Sequence, residues 1–165
     1  MMKTLLLIRH AKSSWDAPGL SDFDRPLNER GKKDAAEMAK RLKEKIDIDL
    51  FVSSPAKRAR KTAKLFAEEY GTKKDDISLV EDLYAATMPA FQKTVIELNN
   101  KYNTVALFSH NPGITEFANS LTNVRIDDMP TCSIFAVHAD IDKWESFSNA
   151  EKKFLFFDYP KNPLP

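Results

Sequence analysis

Short apolar runs alternate along this chain with segments whose apolar residues recur at helical spacing. Residues 4–8, 49–53 and 104–108 form short apolar runs typical of strands buried on both faces of a sheet. Between the first two, residues 35–46 carry apolar side chains three or four positions apart, which is one face of a helix. The alternation predicts an α/β fold: a three-layer sandwich with a mostly parallel central sheet and helices on both faces.

Local signals place the remaining elements. Asn28 is the expected N-cap of the first helix, and Ser54 followed by Pro55 predicts the N-cap and first residue of the second. That second helix is expected to end near Tyr70, before Gly71. Further helices are expected over residues 87–100 and from Pro112 onward, and shorter strands at 77–80, 133–139 and 153–157.

The length predicts one domain, because 165 residues can build a single hydrophobic core and leave little chain for a second. We expect this domain to occupy residues 1–160. The last residues, 161–165, are rich in proline and are expected to form a frayed tail.

Composition excludes several classes of function. With 25 Lys and Arg against 24 Asp and Glu, the net charge of +1 gives no reason to expect a nucleic-acid or membrane partner. The single cysteine, Cys132, excludes an internal disulfide and a multi-cysteine metal site.

Residues 5–8 are too short an apolar run for a signal peptide or a membrane span, so a cytoplasmic protein is expected. Neither common glycine-rich nucleotide loop is present.

Polar residues that can handle phosphate follow the predicted strands directly. The first strand ends in Arg9 and His10, and the run at 104–108 is followed by Ser109 and His110. The second strand leads into a helix that carries Arg58 in its first turns. Because the carboxyl ends of parallel strands meet at one edge of a sheet, we expect these side chains to lie together.

This set of residue types is suited to phosphoryl transfer. Guanidinium groups bind phosphate oxygens with paired N–H donors. A neutral histidine can act as a nucleophile, a second histidine can bind the phosphate, and a carboxylate can protonate a leaving group. Glu81 and Asp82, after the third strand, are the candidate acids. Spacing alone does not choose Arg58 over Arg60.

The order of the motifs resembles the histidine phosphatase superfamily, whose fold is phosphoglycerate mutase-like. Residues 5–15 (LLLIRHAKSSW) are similar to its opening motif, with Ala11 where the broad superfamily usually has Gly. That variant, followed by Lys-Ser-Ser-Trp, is similar to the SixA-like branch of phosphohistidine phosphatases. Later blocks of the family are matched in order at residues 24–31, 53–63, 108–113 and 154–160.

The resemblance implies a role for each matched residue. His10 would be the nucleophile, and Arg9, Arg58 and His110 would bind the phosphate and stabilise its charge in the transition state. The proton donor would be Glu81, by mutase-type spacing, or Asp82, by the spacing of the SixA-like branch.

Residues around the opening motif are less clearly assigned. Ser14 is a candidate hydrogen-bond donor to the phosphate. Asp16 stands where many members have Asn, and a carboxylate there would repel phosphate, so that role is not transferred. Arg25 is expected either to contact substrate or to form a surface ion pair. Neither a metal nor a cofactor is expected, because the cationic side chains neutralise the phosphate.

The implied function is a metal-independent phosphatase that works through a phosphohistidine intermediate. The segment from residue 81 to 91 is short and leaves little chain for a lid, which favours a phosphohistidine-bearing signalling or phosphotransfer protein as substrate. Two alternatives remain open: a general phosphomonoesterase for a small phosphorylated substrate, and a phosphate-binding protein without turnover.

Overall fold

The structure is a computed structural model that describes residues 2–16 and 18–163. In these ranges the strands are β1 (Met2–Arg9), β2 (Leu50–Ser53), β3 (Ser78–Leu79), β4 (Thr104–Ser109), β5 (Ile134–Asp140) and β6 (Lys153–Asp158). The α-helices are α1 (Glu29–Lys45), α2 (Lys57–Glu69), α3 (Met88–Ile96) and α4 (Gly113–Leu121). Short 3-10 helices lie at Asp22–Asp24, Lys74–Asp76, Glu81–Leu83 and Trp144–Asn149.

The described strands form one sheet in the order β3-β2-β4-β1-β5-β6. The strands β3, β2, β4 and β1 are parallel to their neighbours, whereas β5 pairs antiparallel with both β1 and β6. The predicted α/β class with a mostly parallel sheet is therefore confirmed.

The sheet is covered on both faces, which confirms the three-layer prediction. Alternate side chains of β1 enter different cores: Leu5 and Leu7 pack with residues of α3 and α4, whereas Leu6 and Ile8 pack with residues of α1 and α2. All four are fully buried. Burial of each such side chain contributes about 1.5–3 kcal/mol, so the continuous apolar run of β1 anchors the fold from its centre.

The observed helix ends differ from the predictions in two places. The Asn28 side chain accepts the N–H of Gly31 at 2.8 Å and caps α1 as predicted. The predicted start of α2 is wrong: this helix begins at Lys57, because Ser54 and Pro55 form the preceding turn and the Ser54 hydroxyl lies at 2.7 Å from His110. The predicted end of α3 is also wrong, since the helix stops at Ile96 rather than near residue 100.

The strand register brings the predicted site residues to one edge. Arg9 is paired with Ser109, and Ser53 with Phe108, so β1, β4 and β2 end side by side. Each strand is followed there by a polar segment. The carboxyl edge of the sheet is therefore where a site can form.

At the other end of the chain, Asn162 donates hydrogen bonds to Tyr159 and Asp158. The predicted tail extends to residue 165, and its residues 164 and 165 lie outside the described part. No helix within the described ranges is both long and apolar enough to cross a membrane.

Candidate active site

A cavity of about 1000 Å³ opens at the carboxyl edge of the sheet. Its lining contains five residues that the sequence predicted for the site: Arg9, His10, Ser14, Arg58 and His110. Several other lining residues, including Trp15 and Thr87, are exposed, so the cavity is open to solvent. The cavity therefore lies where the sequence predicted a site, at the carboxyl ends of the parallel strands.

His10 is held as a neutral ring with its lone pair on Nε2. Its Nδ1 lies at 2.7 Å from the carbonyl oxygen of Ala11, which is an acceptor, so the ring proton resides on Nδ1. Burial, with added repulsion from Arg58 and Arg9, lowers the pKa of His10 to about 3. The Nε2 atom lies 3.4 Å from Nε of Arg58 and can act as a nucleophile.

Of the two arginines that spacing left open, Arg58 lines the cavity and Arg60 does not. Arg58 is only 5% exposed, and its backbone carbonyl accepts the hydroxyl of Thr62 at 2.8 Å. The same Thr62 oxygen accepts the N–H of Ala11 at 2.9 Å, which ties α2 to the segment after β1. Arg60, the other arginine allowed by spacing, is exposed and lines a different cavity with Lys57 and Lys61.

His110 lies beside His10, with ring centroids 5.1 Å apart. Its Nε2 is 2.7 Å from the Ser54 hydroxyl, whose oxygen also accepts the N–H of Ala56. The Nδ1 atom of His110 is buried and has no hydrogen-bond partner among the described residues. Burial, reinforced by His10 and Arg58, lowers the pKa of His110 to about 3. His110 is therefore a neutral ring in the cavity wall.

Arg9 supplies a second guanidinium. Its Nη1 donates to the carbonyl oxygen of Met129 at 2.7 Å, while its buried Nε has no partner. Asn111 donates hydrogen bonds to the same carbonyl oxygen and to Asp128. These bonds stabilise the segment around Met129, which positions Arg9. Because Arg9 lines the cavity, its guanidinium is placed to bind an anion there.

Asp22 is a cavity residue that sequence reasoning missed. Its Oδ2 accepts hydrogen bonds from Arg58 Nη2 at 3.1 Å and from the Tyr84 hydroxyl at 2.6 Å, and its Oδ1 accepts one from Arg25 at 3.2 Å. The hydrogen bonds from Tyr84 and Arg25, together with Arg58, lower the pKa of Asp22 to about 2. Residue 22 carries no helical or strand periodicity, so no local pattern marked it.

Tyr84 is the second missed residue. Its ring packs edge-on against His110, with centroids 5.7 Å apart, and against Phe23 at 5.1 Å. Tyr84 therefore connects the 3-10 helix that carries Asp22 to the histidine pair. The hydrogen bond to the Asp22 carboxylate raises the pKa of Tyr84, so the phenol stays protonated.

Arg25 forms an ion pair, one of its two predicted roles, and it also lines the cavity. Its guanidinium lines the cavity, lies 3.7 Å from the centre of the Trp15 ring, and is hydrogen-bonded to Ser13 and paired with Asp22. The nearby Ser14 also lines the cavity, where its hydroxyl oxygen accepts the N–H of Asp16 at 3.1 Å.

Glu81 and Asp82 require a correction, because neither side chain lines the cavity. They lie exposed on the 3-10 helix Glu81–Leu83, and Asp82 lines a separate cavity on the far side of that turn. The reason is that the turn buries Leu83, whose carbonyl oxygen accepts the Ser109 hydroxyl at 2.7 Å. The turn then presents Tyr84, rather than either acid, to the cavity. The acids that do line it are Asp16, Asp22 and Glu116.

Cys132 and the other potential metal ligands lie outside this cavity or are dispersed in the described part of the chain. Cys132 is fully buried, and burial raises the pKa of its thiol. Within the described ranges, no group of three or more His, Cys, Asp or Glu residues is placed to hold a metal ion.

The family assignment agrees with this geometry. The sequence model of the histidine phosphatase superfamily (branch 1) matches residues 5–88, which include Arg9, His10 and Arg58. The chain belongs to the histidine phosphatase superfamily, and by family it is a phosphatase.

Individual relatives extend the comparison. An uncharacterized chloroplast protein of Arabidopsis thaliana is 33% identical over 153 residues, covering 87% of this chain and 69% of the relative. A protein from Agrobacterium tumefaciens assigned as a phosphohistidine phosphatase SixA superposes with a TM-score of 0.79 at 25% identity, covering 96% of this chain and 98% of that one. A SixA protein histidine phosphatase complexed with tungstate has the same fold, with a TM-score of 0.79 at 24% identity over 95% of this chain and 97% of its own. The match to the 2,3-bisphosphoglycerate-dependent phosphoglycerate mutase of Bartonella tribocorum spans only 40% of that enzyme.

Proposed function

We propose that this protein removes phosphoryl groups from phosphohistidine on signalling or phosphotransfer proteins, through a phosphohistidine intermediate on His10. The observation that carries the proposal is the neutral His10 ring, whose Nε2 lone pair lies beside the Arg58 guanidinium in an open cavity. The likeness to structures of SixA phosphohistidine phosphatases supports it.

The first step is attack of His10 Nε2 on phosphorus. A P–N bond forms to His10 as the P–N bond to the substrate imidazole breaks, and the electron pair stays on the departing ring nitrogen. Arg9, Arg58 and His110, which line the cavity, bind the phosphoryl oxygens and stabilise their charge. The bond broken and the bond formed are of the same kind, so this step is nearly balanced in energy.

The second step is hydrolysis of the intermediate. Water attacks phosphorus, the P–N bond to His10 breaks, and its electron pair returns to Nε2 while a proton from the water goes to solution. The neutral ring is thereby regenerated. The cations and donors that line the cavity neutralise the phosphate without a metal ion.

The absence of Glu81 and Asp82 from the cavity favours a phosphohistidine substrate over an ester. An alkoxide leaving group requires protonation, whereas a protonated imidazole leaves without help from the enzyme. Of the three acids that line the cavity, Asp22 has a pKa of about 2 and is ionised at neutral pH, so it cannot supply that proton, while Asp16 and Glu116 are exposed to solvent.

The test compares phosphate release from a phosphohistidine peptide and from an aryl phosphate ester, in EDTA, by the wild type and two variants. The wild type is expected to prefer the peptide, and His10→Ala is expected to lose this activity. His138→Ala is the matched control, because this histidine lies on β5 and does not line the cavity.

Other outcomes would redirect the proposal. Preference for the ester would indicate a general phosphomonoesterase. Full activity of His10→Ala would contradict the intermediate. No release from either substrate, with phosphate still bound by His10→Ala, would indicate a binding protein.

A further inference from the structure

Asp22 occupies an unusual position for a carboxylate, at the wall of a cavity built to bind an anion. Its side chain is 52% exposed, yet it is held by three donors from separate segments: Arg25, Arg58 and Tyr84. Its backbone carbonyl accepts a further hydrogen bond from Arg58 at 2.6 Å. These four hydrogen bonds hold Asp22 in place, so its carboxylate belongs to the wall of the cavity.

The Arg58 guanidinium separates Asp22 from the nucleophile. Its Nε faces Nε2 of His10 at 3.4 Å, whereas Nη1 and Nη2 face Asp22. A phosphoryl group held by Arg58 for attack by His10 must release its leaving group on the side opposite His10. Asp22, with the Tyr84 hydroxyl that is hydrogen-bonded to it, lies on the side of the guanidinium that faces away from His10.

We propose that Asp22 determines leaving-group specificity: its fixed negative charge favours substrates with a protonated imidazole leaving group over phosphate esters. This inference rests on the function proposed above and identifies a residue that selects the P–N bond.

The two classes of substrate differ in the charge of the leaving group. A protonated phosphohistidine ring is cationic before the P–N bond breaks. The departing nitrogen then keeps the electron pair, and the ring leaves as neutral imidazole. A carboxylate beside the ring stabilises the cationic form and accepts its N–H.

For an ester, the P–O bond breaks and the electron pair stays on oxygen, which becomes negative. A fixed carboxylate repels that charge. It has no proton to donate, since hydrogen bonds from Tyr84 and Arg25 lower its pKa to about 2. The Asp22 carboxylate therefore favours cleavage of the P–N bond of phosphohistidine and disfavours cleavage of the P–O bond of an ester.

The experiment measures kcat/KM for a phosphohistidine peptide and for an aryl phosphate ester with wild type, Asp22→Asn and Asp22→Glu. The ratio of peptide to ester activity is expected to fall by about tenfold or more in Asp22→Asn. Asp22→Glu, which keeps the charge, is expected to retain much of the wild-type ratio. Asp24→Asn is the matched control, because Asp24 lies in the same 3-10 helix as Asp22, accepts a hydrogen bond from the N-cap residue Ser21 and does not line the cavity.

A ratio of two activities separates specificity from a structural effect, because a damaged site loses both reactions together. An unchanged ratio in Asp22→Asn, or an equal change in Asp24→Asn, would overturn the inference. The proposed function fails separately, if the wild type itself does not act on the phosphohistidine peptide.

Discussion

At the scale of single residues, burial makes the histidine pair useful at neutral pH. His10 and His110 are 6% and 7% exposed, and two arginines lie near them. Both conditions disfavour the protonated ring. His10 therefore keeps Nε2 unprotonated, where it accepts the Nε–H of Arg58, and His110 lies at 2.7 Å from the hydroxyl of Ser54. The reactive state results from the surroundings of these rings rather than from histidine itself.

Arg58 and Arg60 provide a direct test at this scale. Arg58→Ala removes a guanidinium from the cavity, and kcat/KM is expected to fall by about 10²–10³-fold, the usual cost of losing one donor to a developing anion. Arg60→Ala removes an exposed guanidinium outside the cavity and is expected to stay close to wild type. Steady-state kinetics of both variants on the same substrate measure the difference; a large loss in Arg60→Ala alone would mean that the structure assigns the wrong arginine.

Residue identities at strand ends could be predicted from the sequence, because a short apolar run fixes where its strand stops. The cavity residues Arg9, His10 and His110 lie at or directly after strand ends and could be predicted in this way. Asp22 and Tyr84 could not, because they reach the cavity from irregular segments. The hydrogen bond between them joins residues 62 positions apart, and no local pattern encodes a contact of that range.

At the scale of elements, α4 packs unusually closely against the segment that follows the 3-10 helix Glu81–Leu83. A side chain at Gly113, the first residue of α4, would overlap the carbonyl oxygen of Ala86 and press on the ring of Phe91. Both Gly113 and Ala86 line the active-site cavity. The start of α4 therefore sets part of the shape of that cavity.

Gly113→Ala is expected to lower the free energy of unfolding by about 1–3 kcal/mol, the usual cost of overpacking, and to lower activity as well. Gly71→Ala is the control: its positive φ of 73° also opposes a side chain, but nothing lies within 4 Å. Urea denaturation and kcat/KM of both variants measure the two effects. Equal activity in Gly113→Ala and Gly71→Ala would show that the contact with Ala86 does not shape the site.

The starts of α1 and α2 show why one predicted helix N-cap is correct and the other is wrong. The Asn28 cap was predicted correctly: its Oδ1 accepts the N–H of Gly31, and its amide group donates separately to the carbonyl oxygen of Ser13. Ser54 has the same capping chemistry, but its hydroxyl lies against His110 as well as the N–H of Ala56. A residue at a functional site can therefore carry a helix-start signal while the helix begins later.

At the scale of the whole molecule, the histidine pair couples stability to pH. The pKa of both rings is about 3 in the folded chain against 6.5 for an ordinary histidine. Between these values the unfolded chain binds more protons than the folded one, so stability rises with pH in this window. The contribution is fully present above pH 6.5 and is lost as pH falls toward 3.

Urea midpoints at about pH 7.5 and about pH 5 are therefore expected to differ, with the lower value at pH 5. His10→Gln removes one titrating ring and is expected to reduce this difference, whereas His138→Gln, outside the cavity, is expected to leave it nearly unchanged. An identical pH dependence in His10→Gln and the wild type would contradict the lowered pKa of His10.

If His10 carries the phosphoryl group during turnover, a phosphorylated His10 can be trapped. The wild type would be mixed with phosphoramidate, quenched in alkali, digested and examined by mass spectrometry. We expect one phosphoryl group on the peptide that contains His10, and none in His10→Ala. Phosphate release without a labelled His10, or a label on His110 instead, would contradict this role of His10.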